Sequence, residues 1–200
     1  HLNRVRYRHD EFLAKSLDMI DPGPAEEALD QLPGEFQILK GNIVLKEGSL
    51  FEKNPLIILH ALKEANERGL FLGSGFIWEA EEIIAQRGQD LVDSAEARAL
   101  FLEILLRPRN SKIVRLALEI GLITLFIPEF SEIRNLPQFG YYHVMTVDLH
   151  SLRAMEVLNE ISQGFYDRQW PLLRKVFERI EHPDRLFLAA LLHDLSLTHI

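Results

Sequence analysis

The stretch Pro183–Asp194 reads P-D-R-L-F-L-A-A-L-L-H-D. Its apolar run, residues 186–192, leaves almost no polar face at any helical angle, so we predict a helix buried on most sides, with Leu188, Leu191 and Leu192 in the core. The helix ends in His193 and Asp194. Burying an imidazole beside a carboxylate costs several kcal/mol unless an ion pair, hydrogen bonds or a metal compensates. A metal is the simplest compensation, although a buried histidine bonded to a carbonyl fits this stretch equally well.

Composition limits both the class of protein and the kind of metal site. The 30 acidic residues outnumber the 22 basic ones, and the net charge of -8 argues against a broad nucleic-acid-binding face. Because the chain has no cysteine, a metal must be held by His, Asp and Glu, which favours Mn, Mg, Fe or catalytic Zn. Neither a membrane span nor a secretory segment is visible, so we expect a cytoplasmic protein without a membrane partner.

Most of the chain carries the signals of capped helices, which predicts a mainly α fold. The exception is the stretch F-Q-I-L-K-G-N-I-V-L, near residues 36–46. Its residues Lys40-Gly41-Asn42 are typical of a β-hairpin turn, so we predict a hairpin here as the only regular β structure. Residues 131–147 have no sustained apolar period and are interpreted as an ordered loop. The predicted helices cover residues 8–20, 25–32, 55–68, 76–86 with a stop at Gly88, 110–120, 122–127, 148–162, 166–180 and 183–195, and one more runs from the capping box 93–96 to residue 106.

Two modules are predicted from this order. Residues 1–130 form a helical linker module that includes the hairpin, and residues 131–200 form the start of a second helical domain. The sequence begins and ends abruptly, so we expect a fragment in which this second domain is truncated.

A second informative stretch is H-V-M-T-V-D-L-H-S-L-R, residues 143–153. Thr146 or Asp148 can cap a helix that places His150 in its first turn. The dyad His193-Asp194 lies one full helix further on, so antiparallel helix packing can bring it to His150. We therefore predict a divalent metal ion held by these three residues.

This pattern resembles the H…HD motif of the HD superfamily of metal-dependent phosphohydrolases. Together with R-A-L-F-L-E-I-L-L-R-P-R (98–109) and G-L-I-T-L-F-I-P-E-F (121–130), it resembles the bacterial PII uridylyltransferase/uridylyl-removing enzyme family over residues 35–194. The resemblance implies a linker followed by an HD domain that removes UMP from a PII-type signalling protein by metal-activated water. It also implies a nucleotidyltransferase domain outside this sequence.

The resemblance carries site residues as well. It implies His193 and Asp194 as the catalytic pair, and His150, His193 and Asp194 as ligands of Mn or Mg, with Fe or Zn as alternatives. His143 matches a family histidine and is interpreted as a neighbour of the ligands or of the phosphate, although a loop histidine bonded to backbone fits as well. Gly73-Ser74 has no Asp-x-Asp after it, so Ser74 is interpreted as a helix cap.

Three departures from the family pattern keep other functions open. Leu149 stands where an acidic residue is usual, L-S-L-T-H-I follows Asp194 in place of the usual apolar, small and Lys residues, and residues 195–200 contain no Asp to serve as the fourth ligand. We therefore expect weak metal occupancy in these residues alone. The alternatives are a non-catalytic helical linker or regulatory binding module with a degenerate HD site, and the helical tail of an RNA nucleotidyltransferase, which the acidic balance opposes.

Overall fold

Helices dominate the fold, and a small sheet lies near its beginning. The computed structural model describes residues 34–39, 42–46, 50–137 and 145–195. Its strands are β1 (Phe36–Leu39), β2 (Asn42–Leu45) and β3 (Phe71–Leu72). Its helices are α1 (Leu50–Lys53), α2 (Leu56–Arg68), α3 (Ser74–Asp93), α4 (Ala95–Leu106), α5 (Ser111–Glu119), α6 (Leu122–Phe126), α7 (Phe130–Ile133), α8 (Val147–Ser162), α9 (Pro171–Phe177) and α10 (Pro183–Leu192). The prediction of a mainly α chain with a short hairpin near residues 36–46 is confirmed.

The sheet contains one strand more than the sequence predicted. β1 and β2 pair antiparallel with Leu39 opposite Asn42, so Asn42 opens β2, and turn residues 40 and 41 lie outside the described residues. β3 pairs in parallel with β2, with Ile43 opposite Leu72. The expectation that the hairpin is the only regular β structure was therefore wrong, because a two-residue strand is too short to show an alternating pattern. The predicted helices 8–20 and 25–32 also lie outside the described residues.

Several helix ends follow their local signals. Asn54 Oδ1 accepts a hydrogen bond from the backbone N–H of Leu56 at 3.1 Å, next to the start of α2. α2 ends at Gly69, whose φ of 68° lies in the left-handed region that glycine adopts without strain. Ser94 caps α4 and Asn110 caps α5 through their side chains, as their sequences indicate.

The predicted end of a helix at Gly88 was wrong. α3 continues from Ser74 to Asp93, with a kink at Arg87, where φ is -131° and ψ is 16°. Ser74 is the first residue of α3, and no side chain caps that end. A Cβ atom on Gly88 would lie 2.8 Å from Leu125 Cδ1 in α6, so the Leu125 side chain packs directly on this glycine.

The region between α6 and α10 differs from the prediction in two places. α7 is a short helix within the predicted loop, and Pro137 and Thr146 form an isolated β-bridge. Only residues 171–177 of the predicted helix 166–180 form α9, which begins with Pro171 at its first position. The turns at residues 163–169 precede α9.

α10 is buried on one side only, against α8 and α4. Leu191 is fully buried (0% exposed) and Phe187 is buried, whereas Leu188 and Leu192 are half-buried and Ala189 is exposed. The predicted burial on most sides was therefore wrong, and the core assignment holds fully for Leu191 alone among the three leucines. A uniformly apolar helix does not indicate which side its neighbours cover.

A single hydrophobic core extends from Phe36 in β1 to Leu191 in α10. It includes the edge-to-face rings of Phe51 and Phe76, whose centroids lie 4.9 Å apart. The division into modules 1–130 and 131–200 stays a prediction. Among the helices of the described ranges, none is both long and apolar enough to cross a lipid bilayer.

Candidate metal centre

His150 lies in the first turn of α8, which the hydrophobic core holds in place. Leu152 and Met155 are buried, and the backbone N–H of His150 donates to the carbonyl of Thr146 at 2.9 Å. Thr146 occupies the N-cap position, but neither it nor Asp148 makes the side-chain capping bond that the sequence indicated. Asp148 is instead buried. The position of His150 is therefore fixed by backbone helix formation and by packing of its neighbours.

His193 and Asp194 follow the last residue of α10 in a turn. His193 Nδ1 lies 2.8 Å from the carbonyl oxygen of Ala190. Because a carbonyl only accepts, Nδ1 carries the proton in this bond, and Nε2 is the ring nitrogen that faces other groups. Metal-binding histidines have their second nitrogen fixed in the same way.

The exposure of the dyad corrects the burial argument. The side chain of His193 is 41% exposed, whereas that of Asp194 is 15% exposed. The desolvation penalty that the apolar sequence predicted therefore applies to the carboxylate and hardly to the imidazole. The case for a metal now depends on how the polar atoms are arranged.

The structure brings His150, His193 and Asp194 together across the packing of α8 on α10. Asp194 Oδ2 lies 3.2 Å from His193 Nε2 and 4.0 Å from His150 Nε2. The imidazole centroids are 5.4 Å apart, with a tilt of 59°. One ligand atom from each residue lies within 4.8 Å of the other two. No other group of three such side chains is found in the described ranges.

These residues fit a divalent ion. Two ligands about 2.1 Å from one ion are at most about 4.2 Å apart. The separations of 3.2 and 4.0 Å fall within that limit. The third separation is at most 4.8 Å, which is about 0.6 Å above the limit. Two imidazole nitrogens and one carboxylate oxygen suit Mn, Fe or Zn, and Mg less well.

Of the other described histidines, His60 lies outside this cluster. His143 lies outside the described residues. His60 Nε2 lies 3.7 Å from Glu96 Oε1 at an exposed pair between α2 and α4.

An open groove of about 500 Å³ runs beside the cluster. The exposed surface of its wall is almost entirely apolar. Its lining residues are His150, Arg153, Ala154, Val157, Leu158, Ala190 and His193. A ligand in this groove would therefore contact mainly carbon atoms of these side chains.

Sequence reasoning missed a charged network at the groove. Arg153 hydrogen bonds to Glu156 and Glu160, and Arg115 in α5 reaches Glu156. The hydrogen bond to Glu160 raises the pKa of Arg153 further above its ordinary value. Burial raises the pKa of Glu160, but hydrogen bonds from Arg153 and Tyr166 outweigh it, so the net pKa is lowered. The available signal was the spacing of Glu156 and Glu160, three and seven residues after Arg153, which places all three on one face of a helix.

The candidate metal centre is formed entirely by residues of this chain. Its three ligand candidates come from the first turn of one helix and the end of another, and both helices pack on the same core. A scan of the chain against models of known protein families found no match.

Proposed function

We propose that this chain carries the His and Asp residues of a metal-dependent phosphohydrolase centre that hydrolyses a nucleotidyl phosphodiester. The observation that supports it is the convergence of His150, His193 and Asp194, with ligand atoms within 4.8 Å of one another. The resemblance to the PII-modifying family supplies the substrate of the proposal, a uridylylated PII-type protein in the cytoplasm, and a nucleotidyltransferase domain as a further partner.

Each of the three ligand candidates has a defined role in this proposal. His150 Nε2, His193 Nε2 and Asp194 Oδ2 would hold the ion, and the Ala190 carbonyl orients the His193 ring by accepting from Nδ1. When bound, a divalent ion supplies Lewis acidity to a phosphoryl oxygen and to the attacking water. The groove beside the histidines gives a phosphodiester access to the ligands.

The test compares wild type with His193→Ala in the full-length protein. Metal content is measured after dialysis against Mn, and hydrolysis is measured with bis(p-nitrophenyl) phosphate and with uridylylated PII-type protein. Loss of one of three ligands leaves Asp194 without its partner at 3.2 Å, so we expect metal affinity and rate to fall by about 100-fold or more.

His60→Ala is the matched control, since His60 is also a half-exposed histidine beside a carboxylate. It should leave both metal content and rate unchanged. If wild type and His193→Ala retain equal metal and hydrolyse at equal rates, the dyad is structural and the proposal is wrong.

A further inference from the structure

α9 and the turns before it carry an apolar surface that no described residue covers. No residue of α9 is buried. Of the seven large apolar side chains that are exposed in the described ranges, five lie between residues 165 and 176, and their exposed fractions run from 41% to 77%. A soluble monomer rarely concentrates its exposed apolar side chains in this way, and such a surface is typical of a binding site. We call these five side chains the α9 patch: Phe165, Trp170, Leu172, Leu173 and Val176.

The α9 patch lies on successive turns of one compact segment. The backbone N–H of Trp170 donates to the carbonyl of Tyr166 at 2.7 Å, and that of Leu173 donates to the carbonyl of Trp170 at 3.0 Å. On α9, Leu172 and Leu173 lie four and three residues before Val176, and this spacing places all three on one face of the helix. The turns and the helix therefore present their apolar side chains as one surface.

Contacts within the chain hold this segment in place. Arg174 Nη1 lies 3.1 Å from Asp167 Oδ2, so an ion pair joins α9 to the turns before it. The ring of Phe177 packs edge-to-face on that of Phe187 in α10, with centroids 6.2 Å apart. A surface that is ordered before binding loses less conformational entropy when a partner covers it.

The exposed area is large enough for a dimer. An exposed leucine or aromatic side chain contributes on the order of 100 Å² of apolar surface, so the α9 patch offers roughly 500 Å². Two copies that cover each other's patch would remove roughly 1,000 Å² from water, which reaches the lower limit of specific protein interfaces. Trp170 should contribute most, since tryptophan is enriched among the residues that dominate binding energy.

The charge around the α9 patch allows two copies to meet there. The chain has a net charge of -8, so most of its surfaces repel a second copy. Residues 163–182 instead hold four basic and three acidic side chains, which gives this segment a net charge of +1. A contact around a two-fold axis brings the same segment of both copies together, so it adds little repulsion here. The same small charge gives little attraction to an anionic membrane, which binds clustered Lys and Arg.

We propose that the α9 patch is a homodimer interface, in which the same five side chains of two copies pack against each other around a two-fold axis. None of the five lines the groove or belongs to the candidate metal centre. The dimer is therefore independent of the proposed function.

The test measures the association state of the full-length protein. Sedimentation equilibrium is recorded from about 1 to about 100 µM, where we expect a monomer–dimer equilibrium with Kd on the order of 10 µM, because an interface of this size is typical of weak complexes. Leu172→Glu places one carboxylate from each copy in the interface, so Kd should rise about 100-fold or more. Val176→Asp should have the same effect from the next turn of α9.

Leu102→Glu is the matched control. Leu102 is also an exposed leucine, but it lies on α4 outside the α9 patch. It introduces the same charge and should leave Kd unchanged. Circular dichroism of each variant shows that the helices are retained.

Hydroxyl-radical footprinting of wild type tests the interface without any substitution. Oxidation of Trp170, read by mass spectrometry, should fall as the protein concentration rises through Kd. Trp78 is also exposed but lies outside the α9 patch, so its oxidation should stay constant.

Three results would overturn the proposal. The first is a full-length protein that is monomeric at about 100 µM, ten times the expected Kd, with Trp170 either oxidised or covered by another part of the chain. The second is a dimer with the same Kd in wild type and Leu172→Glu, which would place the interface elsewhere. The third is protection of Trp170 by phosphatidylglycerol vesicles without any dimer, which would assign the α9 patch to a membrane.

Discussion

The packing of α10 can be tested with a matched pair of leucines. Leu191 is fully buried, whereas Leu188, on the same helix, is half-buried. Leu191→Ala removes three carbon atoms, worth about 0.8 kcal/mol each, or about 2.4 kcal/mol of transfer free energy. A residual cavity adds to this, so we expect a total loss of about 3 kcal/mol in the free energy of unfolding, within the usual range of about 2 to 5 kcal/mol.

Leu188→Ala should cost only about 1 kcal/mol, because a large part of that side chain is already in water. Urea unfolding followed by circular dichroism at 222 nm gives both values, provided that the slope of free energy against urea is unchanged. A loss below about 0.5 kcal/mol for Leu191→Ala, which is typical of surface positions, would contradict the packing of α10. Equal losses for the two leucines would contradict its one-sided burial.

Two further predictions concern buried and charged groups elsewhere. Asn66→Leu leaves two backbone N–H groups and one carbonyl of the turn 107–110 without their partner, so we expect the free energy of unfolding in urea to fall by about 3 kcal/mol. Asn54→Ala removes an exposed cap and should lower it by about 1 kcal/mol. Equal losses for the two variants would contradict the prediction. Because the pKa of Glu160 is lowered in the folded state, its charged form stabilises the fold above the ordinary glutamate pKa, and this contribution is lost as the pH falls through the lowered value. Wild type should therefore exceed Glu160→Gln by about 1 kcal/mol at pH 7 in urea unfolding, and the difference should shrink below about pH 4.5; a constant difference from pH 7 to pH 3 would contradict it.

The sequence by itself determined the helices that have local punctuation. Ser94, Asn110 and Gly69 act within a few residues of their own position, so their signals need no knowledge of the rest of the fold. The hairpin also follows from a local change of period. His150, His193 and Asp194 were identified from residue type, helix position and family resemblance, all of which can be read along the chain.

Only the tertiary structure decided which surfaces meet. It decided which side of α10 is covered, because seven consecutive apolar residues do not indicate which of them face the core. It placed Leu125 against Gly88, and it paired β3 with β2, although β3 is too short to show a periodic pattern in the sequence. The ion pair between Arg115 and Glu156 joins residues 41 positions apart, and such a contact exists only because α5 packs on α8.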